Sequence, residues 1–231
     1  MPWRCTECGA SSGDDRRPLY CPRCASMASY VRVVQSPGVA PRGAEPIQAS
    51  KLAAGVLAPT LGEFDSFLGR LGRPVRIAIF GAAGAGKTTW ALRLAQAFRT
   101  WGQVLFCAVD EGMESASFRD KIQRLEITSP FIFSGGWPEI TAQAVTGRWR
   151  MIVVDTVTRA GADPGEMNAY TRAHGVSWVA VLEVTKSGMF RGDASWSHWS
   201  DVLIRAEGLR VSIEKNRYGR AGVEKEVACG F

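Results

Sequence analysis

Residues 81–88 read Gly-Ala-Ala-Gly-Ala-Gly-Lys-Thr, and no other stretch limits so sharply what this chain can become. Ahead of them, residues 75–80 (Val-Arg-Ile-Ala-Ile-Phe) form an apolar run of strand length. Behind them, residues 89–98 carry apolar side chains at helical spacing. Strand, glycine loop and helix in that order make the G-x-x-x-x-G-K-[ST] string a phosphate-binding P-loop rather than a chance turn. The glycines let backbone N–H groups close on phosphate oxygens, and the helix N-terminus adds partial positive charge. Lys87 is expected to reach the β- and γ-phosphates, and the Thr88 hydroxyl to hold Mg2+. Gly81, Gly84, Gly86, Lys87, Thr88 and Thr89 are therefore the candidate contacts of a nucleoside triphosphate, with ATP the first choice.

Two later apolar runs end in carboxylates. Residues 104–109 (Val-Leu-Phe-Cys-Ala-Val) lead into Asp110 and Glu111, and residues 151–154 (Met-Ile-Val-Val) lead into Asp155. Carboxylates at the C-terminal end of strands in an open α/β sheet sit beside the ligand crevice. Asp155 has the form of a Walker B aspartate, which orients magnesium-bound water. Either Asp110 or Glu111 would polarise the attacking water; service to a helix macrodipole is the plainer alternative. Around these runs, residues 61–69 read as a short amphipathic helix closed by Gly69. Residues 115–125 read as a helix, 131–133 as a short strand, and 138–145 as a helix opened by Pro138. Residues 159–168 read as a glycine- and proline-containing loop, and 176–182 as a buried strand. The alternation predicts a mostly parallel α/β sheet with helices on both faces and right-handed crossovers.

Four of the six cysteines fall early, as Cys5-x-x-Cys8 and Cys21-x-x-Cys24. Two such knuckles complete a tetrahedral Zn2+ shell with no open position, so a structural zinc ribbon is expected; disulfides are the alternative. Residues 35–47, with three prolines and two glycines, have linker composition. The expected organisation is a ribbon over 1–34, a linker over 35–50 and one catalytic domain over 51–231. The 46% apolar fraction suffices for a core of that size. A net charge of +6 suits a polyanionic partner, although nucleotide phosphate would welcome the same sign. No secretory leader opens the sequence and no run approaches membrane-spanning length, so a cytoplasmic protein without membrane association is expected.

Three stretches in the last third carry a resemblance. Residues 184–188 read Val-Thr-Lys-Ser-Gly, residues 192–208 hold His198, Asp201, Val202, Leu203, Glu207 and Gly208 in register, and residues 215–219 read Lys-Asn-Arg-Tyr-Gly. These resemble the V-T-K-E-G, G-P-R-x-L-E-H-M-V-D-x-V-L-x-F-E-G and K-N-R-F-G signatures of RadA/Sms-type DNA repair ATPases of the RecA superfamily. The four-cysteine ribbon ahead of the ATPase and Gly62-Glu63-x-Asp65 before the P-loop follow the same order. The resemblance implies a RecA-like P-loop ATPase core and a hexameric ring that hydrolyses ATP while moving on single-stranded or branched DNA. It also implies cooperation with a RecA-type recombinase in recombination and branch migration. By the same resemblance, Lys215 and Arg217 would act in trans on the γ-phosphate of a neighbouring subunit. Without it, residues 215–219 read as a basic hairpin turn. Lys186 and Arg191 would meet DNA phosphates, and Trp196 would stack on a base unless it belongs to the core.

The sequence departs from that family in three ways. The family commonly carries a Lon-protease-like domain after the stretch matched here, and this sequence stops twelve residues after Gly219. The connection from Asp155 to Val184 is short for the family. Glu183 stands where the family commonly has a histidine that senses the γ-phosphate, and an acid there repels phosphate unless protonated or turned away. Two competing functions follow: a replicative helicase core of the DnaB class, or a nucleotide-switched DNA-binding assembly factor that hydrolyses little.

Overall fold

Strands that are apolar on both faces can only be buried between two helical layers, and the central strands of this protein are of that kind. The computed structural model describes residues 3–5, 11–12, 30–32, 59–184, 195–208 and 210–226. The chain divides into two units, Met1–Ala54 and Gly55–Phe231. In the first, β1 (Trp3–Cys5) pairs antiparallel with β2 (Ser11–Ser12) and β3 (Tyr30–Arg32), giving the order β2-β1-β3. The expected zinc ligands Cys8, Cys21 and Cys24, the side chain of Cys5, and the expected linker all lie outside the described residues.

The second unit opens with a 3-10 turn, Gly62–Phe64, and α1 (Asp65–Leu68), which Gly69 closes at φ +72°. Its strands and helices then alternate: β4 (Arg76–Gly81), α2 (Lys87–Ala97), β5 (Val104–Ala108), α3 (Ala116–Arg124), β6 (Phe131–Phe133), α4 (Trp137–Ala144) and β7 (Met151–Asp155). After them come α5 (Val157–Ala160), α6 (Pro164–His174), β8 (Ser177–Glu183), α7 (Ser195–Trp199), β9 (Val202–Glu207), β10 (Arg210–Asn216) and β11 (Glu224–Glu226). The sheet runs β11-β10-β9-β4-β8-β7-β5-β6. All neighbours from β9 to β6 are parallel, and β10 and β11 add an antiparallel end. A mostly parallel mixed sheet between helical layers fits a RecA-like core.

The period of two sorts the core. In β4, Ile77 and Ile79 join Trp90 and Leu94 of α2 on one face. Ala78 and Phe80 join Ile140 of α4 and Met167 of α6 on the other. Met151 and Val153 of β7 take the first face, while Ile152 and Val154 take the second. Each buried Val, Ile, Leu, Phe or Met among these side chains stabilises the fold by about 1.5–3 kcal/mol.

One expectation needs correcting. Residues 159–168 are not a loop, because α5 and α6 leave only residues 161–163 between them. Pro164 occupies the first turn of α6, where its missing N–H costs nothing. Asp163 caps that helix, its Oδ1 accepting from the Glu166 N–H at 2.9 Å. The residues read as breakers are a helix start.

Because the parallel strands share a direction, residues 81–88, Asp110, Glu111, Asp155 and Glu183 gather at one edge of the sheet. Among the described residues, no helix is long and apolar enough to cross a membrane.

Candidate nucleotide-binding site

The loop between β4 and α2 is shaped by contacts that exclude any side chain larger than hydrogen at two positions. A Cβ on Gly81 would lie 2.3 Å from the Ala206 carbonyl oxygen. A Cβ on Gly86 would lie 2.7 Å from that of Gly208, and Gly86 also holds φ +77°. The loop therefore rests on the end of β9. Gly86 is the N-cap of α2 and supplies no side-chain cap, so the N–H groups of the first turn point outward without one.

This loop forms one wall of a cleft of about 290 Å3, open to solvent and lined by residues 83–89, Asp110, Glu111, Lys121, Asp155, Thr156 and Glu183. That volume stands at the lower end of the range of small-molecule sites. Lys87 Nζ donates to the carbonyl oxygens of Gly81 at 2.9 Å and Ala82 at 2.7 Å. Burial pushes the Lys87 pKa down, against the pull of Asp155, Glu183 and Asp110.

Asp155 ends β7 at 4% exposure, and burial pushes its pKa up to about 6. Asp110 and Glu111 push in the same direction, while the Thr88 hydroxyl, which hydrogen-bonds Asp155, and Lys121 oppose them. The Val109 and Asp110 N–H groups both donate to the Asp155 carbonyl oxygen, at 2.7 and 2.9 Å, which brings the two strand ends together. Asp110 is ion-paired to Arg159 at 2.7 Å. Glu111 is ion-paired to Lys121, and its other oxygen accepts from the Ser117 hydroxyl at 3.2 Å.

Among the described residues, no group of three or more His, Cys, Asp or Glu side chains is arranged to hold a metal ion. A P-loop magnesium site needs a different donor set, namely one hydroxyl, one carboxylate and phosphate oxygens. Thr88 and Asp155 supply the first two. The Thr156 hydroxyl oxygen, beside Asp155 on the cleft wall, is buried without a hydrogen-bond partner. A buried carboxylate near two others, next to an orphaned hydroxyl, fits a hydrated divalent cation.

The structure brings Lys87, Thr88, Thr89, Asp110, Glu111 and Asp155 around this cleft, together with Gly84 and Gly86. It does not bring Lys215 and Arg217 there. Those residues lie at the other edge of the sheet, because β10 runs against β9 and Asn216 pairs with Val202. The length of β4 separates the edges, about 17 Å at 3.3 Å per residue. Lys215 Nζ donates to the carbonyl oxygens of Ser197 and Ser200, both at 2.6 Å, closing the C-terminal end of α7. Arg217 pairs with Asp201 at 3.1 Å and is half exposed.

Asp201 is the centre of this second cluster. It accepts from the Arg76 N–H at 3.0 Å, and Arg76 adds guanidinium bonds at 3.1 and 2.8 Å. With its side chain 6% exposed, Asp201 leaves Arg76 without its counter-charge when truncated. Asp201→Ala should therefore cost about 3 kcal/mol, seen as a lower urea midpoint at unchanged slope.

Trp196 takes the core alternative. Its ring is 5% exposed and packs edge-on against Trp199 at 5.4 Å between centroids, so no face is free for a base. The two residues stand three apart on α7, one turn, and both turn into the core. Lys186 and Arg191 lie outside the described residues.

Compared with curated proteins, the chain is 27% identical, over an alignment 254 positions long with its gaps, to the DNA repair protein RadA of Mycobacterium tuberculosis (strain CDC 1551 / Oshkosh). It is similar to the same degree to the DNA repair protein RadA of M. tuberculosis strain ATCC 25618 / H37Rv. The similarity is weak but runs along 98% of this chain. The chain is thus similar to these RadA proteins along its length. It covers 51% of either relative, so the chain spans about half the length of the curated relatives it matches. No protein-family model matches it.

Sequence reasoning missed four participants in these sites. Lys121 and Arg159 reach the cleft carboxylates from helices ten and forty-nine positions away in the chain, and no local pattern marks them. Thr156 was legible only as the neighbour of Asp155. Asp201 appeared as a matched position, without its ties to Arg76 and Arg217.

Proposed function

We propose that the protein is an ATP-hydrolysing, DNA-dependent motor acting in DNA repair or recombination, working as a ring whose subunits complete one another's sites. The observation that carries the nucleotide half is the gathering of Lys87, Thr88 and the buried Asp155 on the wall of one cleft beside the 81–88 loop. Backbone N–H groups of residues 84–88 would take the phosphates, and Lys87 would leave the Gly81 and Ala82 carbonyls for the β- and γ-oxygens. Thr88 and Asp155 would hold Mg2+, which when bound neutralises phosphate charge. Glu111 or Asp110 would orient and deprotonate the attacking water, after Lys121 or Arg159 yields an oxygen. The DNA half is supported by the RadA relatives' description as DNA repair proteins and by the signatures at 184–188 and 215–219. The four early cysteines are proposed to hold one structural Zn2+, on their spacing alone.

The trans role of Arg217 is supported by where it sits. It is half exposed at the end of the sheet opposite its own cleft, so any phosphate it met, after leaving Asp201, would belong to another subunit. Mixing Arg217→Ala with Lys87→Ala protein, each inactive alone, should restore turnover at hybrid interfaces that pair an intact P-loop with an intact arginine. No recovery at any ratio contradicts the ring.

A second reading has an observation of its own. Both candidate water-activating carboxylates are engaged by cations in the same chain, which suits a nucleotide switch that hydrolyses little. ATP turnover with and without single-stranded DNA separates the two: stimulation supports the motor, and slow DNA-independent turnover supports the switch.

A further inference from the structure

At the sheet edge opposite the cleft, three exposed arginines stand together without carboxylate partners. Arg148 and Arg150 precede β7, and Arg73 precedes β4. Gln103, just ahead of β5, ties the first two: its side-chain oxygen accepts from Arg148 Nε at 2.7 Å, and its carbonyl oxygen accepts from the Arg150 N–H at 2.9 Å. Aromatic rings support the cluster. The Arg148 guanidinium lies 4.4 Å from the Trp149 ring and 4.7 Å from that of Phe131, and Arg73 lies 4.5 Å over Trp101. Arg73 is close enough to Arg150 to feel its charge, which adds to burial in lowering its pKa.

Several exposed arginines elsewhere are matched by acids, as in Arg119–Glu114, Arg159–Asp110, Arg205–Glu207 and Arg210–Glu226. Those that are not, such as Arg70, Arg124 and Arg172, have neither a second arginine nor an aromatic support beside them among the described residues. Among the described residues, Arg73, Arg148 and Arg150 have no acidic partner. Like charges held together on rigid aromatic supports cost stability in the free protein, and a polyanion offsets that cost. Planar guanidinium forks suit phosphate oxygens, and stacking leaves their N–H edges free to donate. Phe131, on the edge strand, is 45% exposed and offers ring surface on which a base can stack.

We infer that Arg73, Arg148 and Arg150, with Phe131 beside them, form a binding surface for the phosphodiester backbone of single-stranded nucleic acid. This surface is separate from the nucleotide cleft and independent of hydrolysis. The surface favours nucleic acid over an anionic membrane, since Trp101 and Trp149 are buried and the exposed ring of Phe131 is too little apolar surface for an anchor. The chain can therefore hold a strand at one edge of its sheet while the other edge turns over nucleotide.

The test uses the full chain without ATP, titrated into fluorescein-labelled oligothymidylate over a range of salt. The wild type should bind, with affinity falling as salt rises. Arg73→Gln/Arg148→Gln/Arg150→Gln should weaken binding at least about tenfold and reduce the salt slope by about two, at about 0.7 per phosphate contact. The triple lysine variant keeps the charge and should retain most of the wild-type slope. Arg150→Gln alone should lower the slope by about 0.7, which keeps the test decisive should the triple variant misfold. Affinity for a non-hydrolysable ATP analogue should be unchanged in every variant, so a failure here is distinguishable from a failure at the cleft. Absent wild-type binding, or an unchanged slope in the glutamine variants, overturns the proposal. So does a loss confined to phosphatidylserine vesicles while oligothymidylate binding persists.

Discussion

In magnesium-free protein, Asp155→Asn should raise stability at pH 7 by about 3 kcal/mol, while ATP turnover assayed with Mg2+ falls by about a hundredfold or more. Both effects have one cause. Asp155 is 4% exposed, and its pKa is lifted from 3.8 to about 6, chiefly by burial. A carboxyl whose pKa is raised by folding binds its proton more tightly in the native state. Its stabilising contribution is complete below pH 4 and is lost as pH rises through 6, so at neutral pH the ionised group opposes folding. A gap of about two units corresponds to about 3 kcal/mol. Asparagine is isosteric, keeps an acceptor for Thr88 and carries no charge, so it removes the opposition and with it the metal ligand. Urea denaturation in a chelator checks this: the wild type should lose stability between pH 4 and 6, and the variant should be flat across that window. Parallel profiles would mean that Asp155 is not the strained group.

Lys87→Ala should abolish measurable hydrolysis, by about a hundred- to a thousandfold, with little change in melting temperature. Lys87 holds only two loop carbonyls in the free protein, at 2.9 and 2.7 Å, and water can replace it there. Among the described residues lining the cleft, the other cation is Lys121, which is committed to Glu111, so the charge of Lys87 is not replaced there when triphosphate is present. The loss should be larger for triphosphate than for diphosphate affinity, because the ammonium is expected on the β- and γ-oxygens. Equal weakening of both nucleotides would assign Lys87 to the loop's shape instead.

The contrast between what the residues announced and what they concealed follows the range of the interactions. Local patterns were legible: the strand–loop–helix around 81–88, the apolar runs ending at Ala108 and Asp155, and the helix closed by Gly69. Each depends on neighbours within a turn or a strand. Pro164 and Gly165 misled because the same residues that break a helix also begin one, and the deciding feature is the Asp163 cap. The second role of Gly81 and Gly86 was out of reach, because the carbonyls of Ala206 and Gly208 come from the far end of the chain. Trp196 was ambiguous for the same reason, since whether an aromatic ring stacks or packs is settled by what lies beneath it. The three bare arginines became a cluster only when the sheet order set β7 beside β5.

The central claim is that one Mg2+–triphosphate binds per chain between the 81–88 loop and Asp155. Equilibrium titration with a non-hydrolysable ATP analogue, with and without Mg2+, tests it most directly. The account predicts one site per chain, tightened by Mg2+ in the wild type, insensitive to Mg2+ in Asp155→Asn, and lost in Lys87→Ala. Undiminished binding by Lys87→Ala, or the same magnesium dependence in Asp155→Asn as in the wild type, would contradict it.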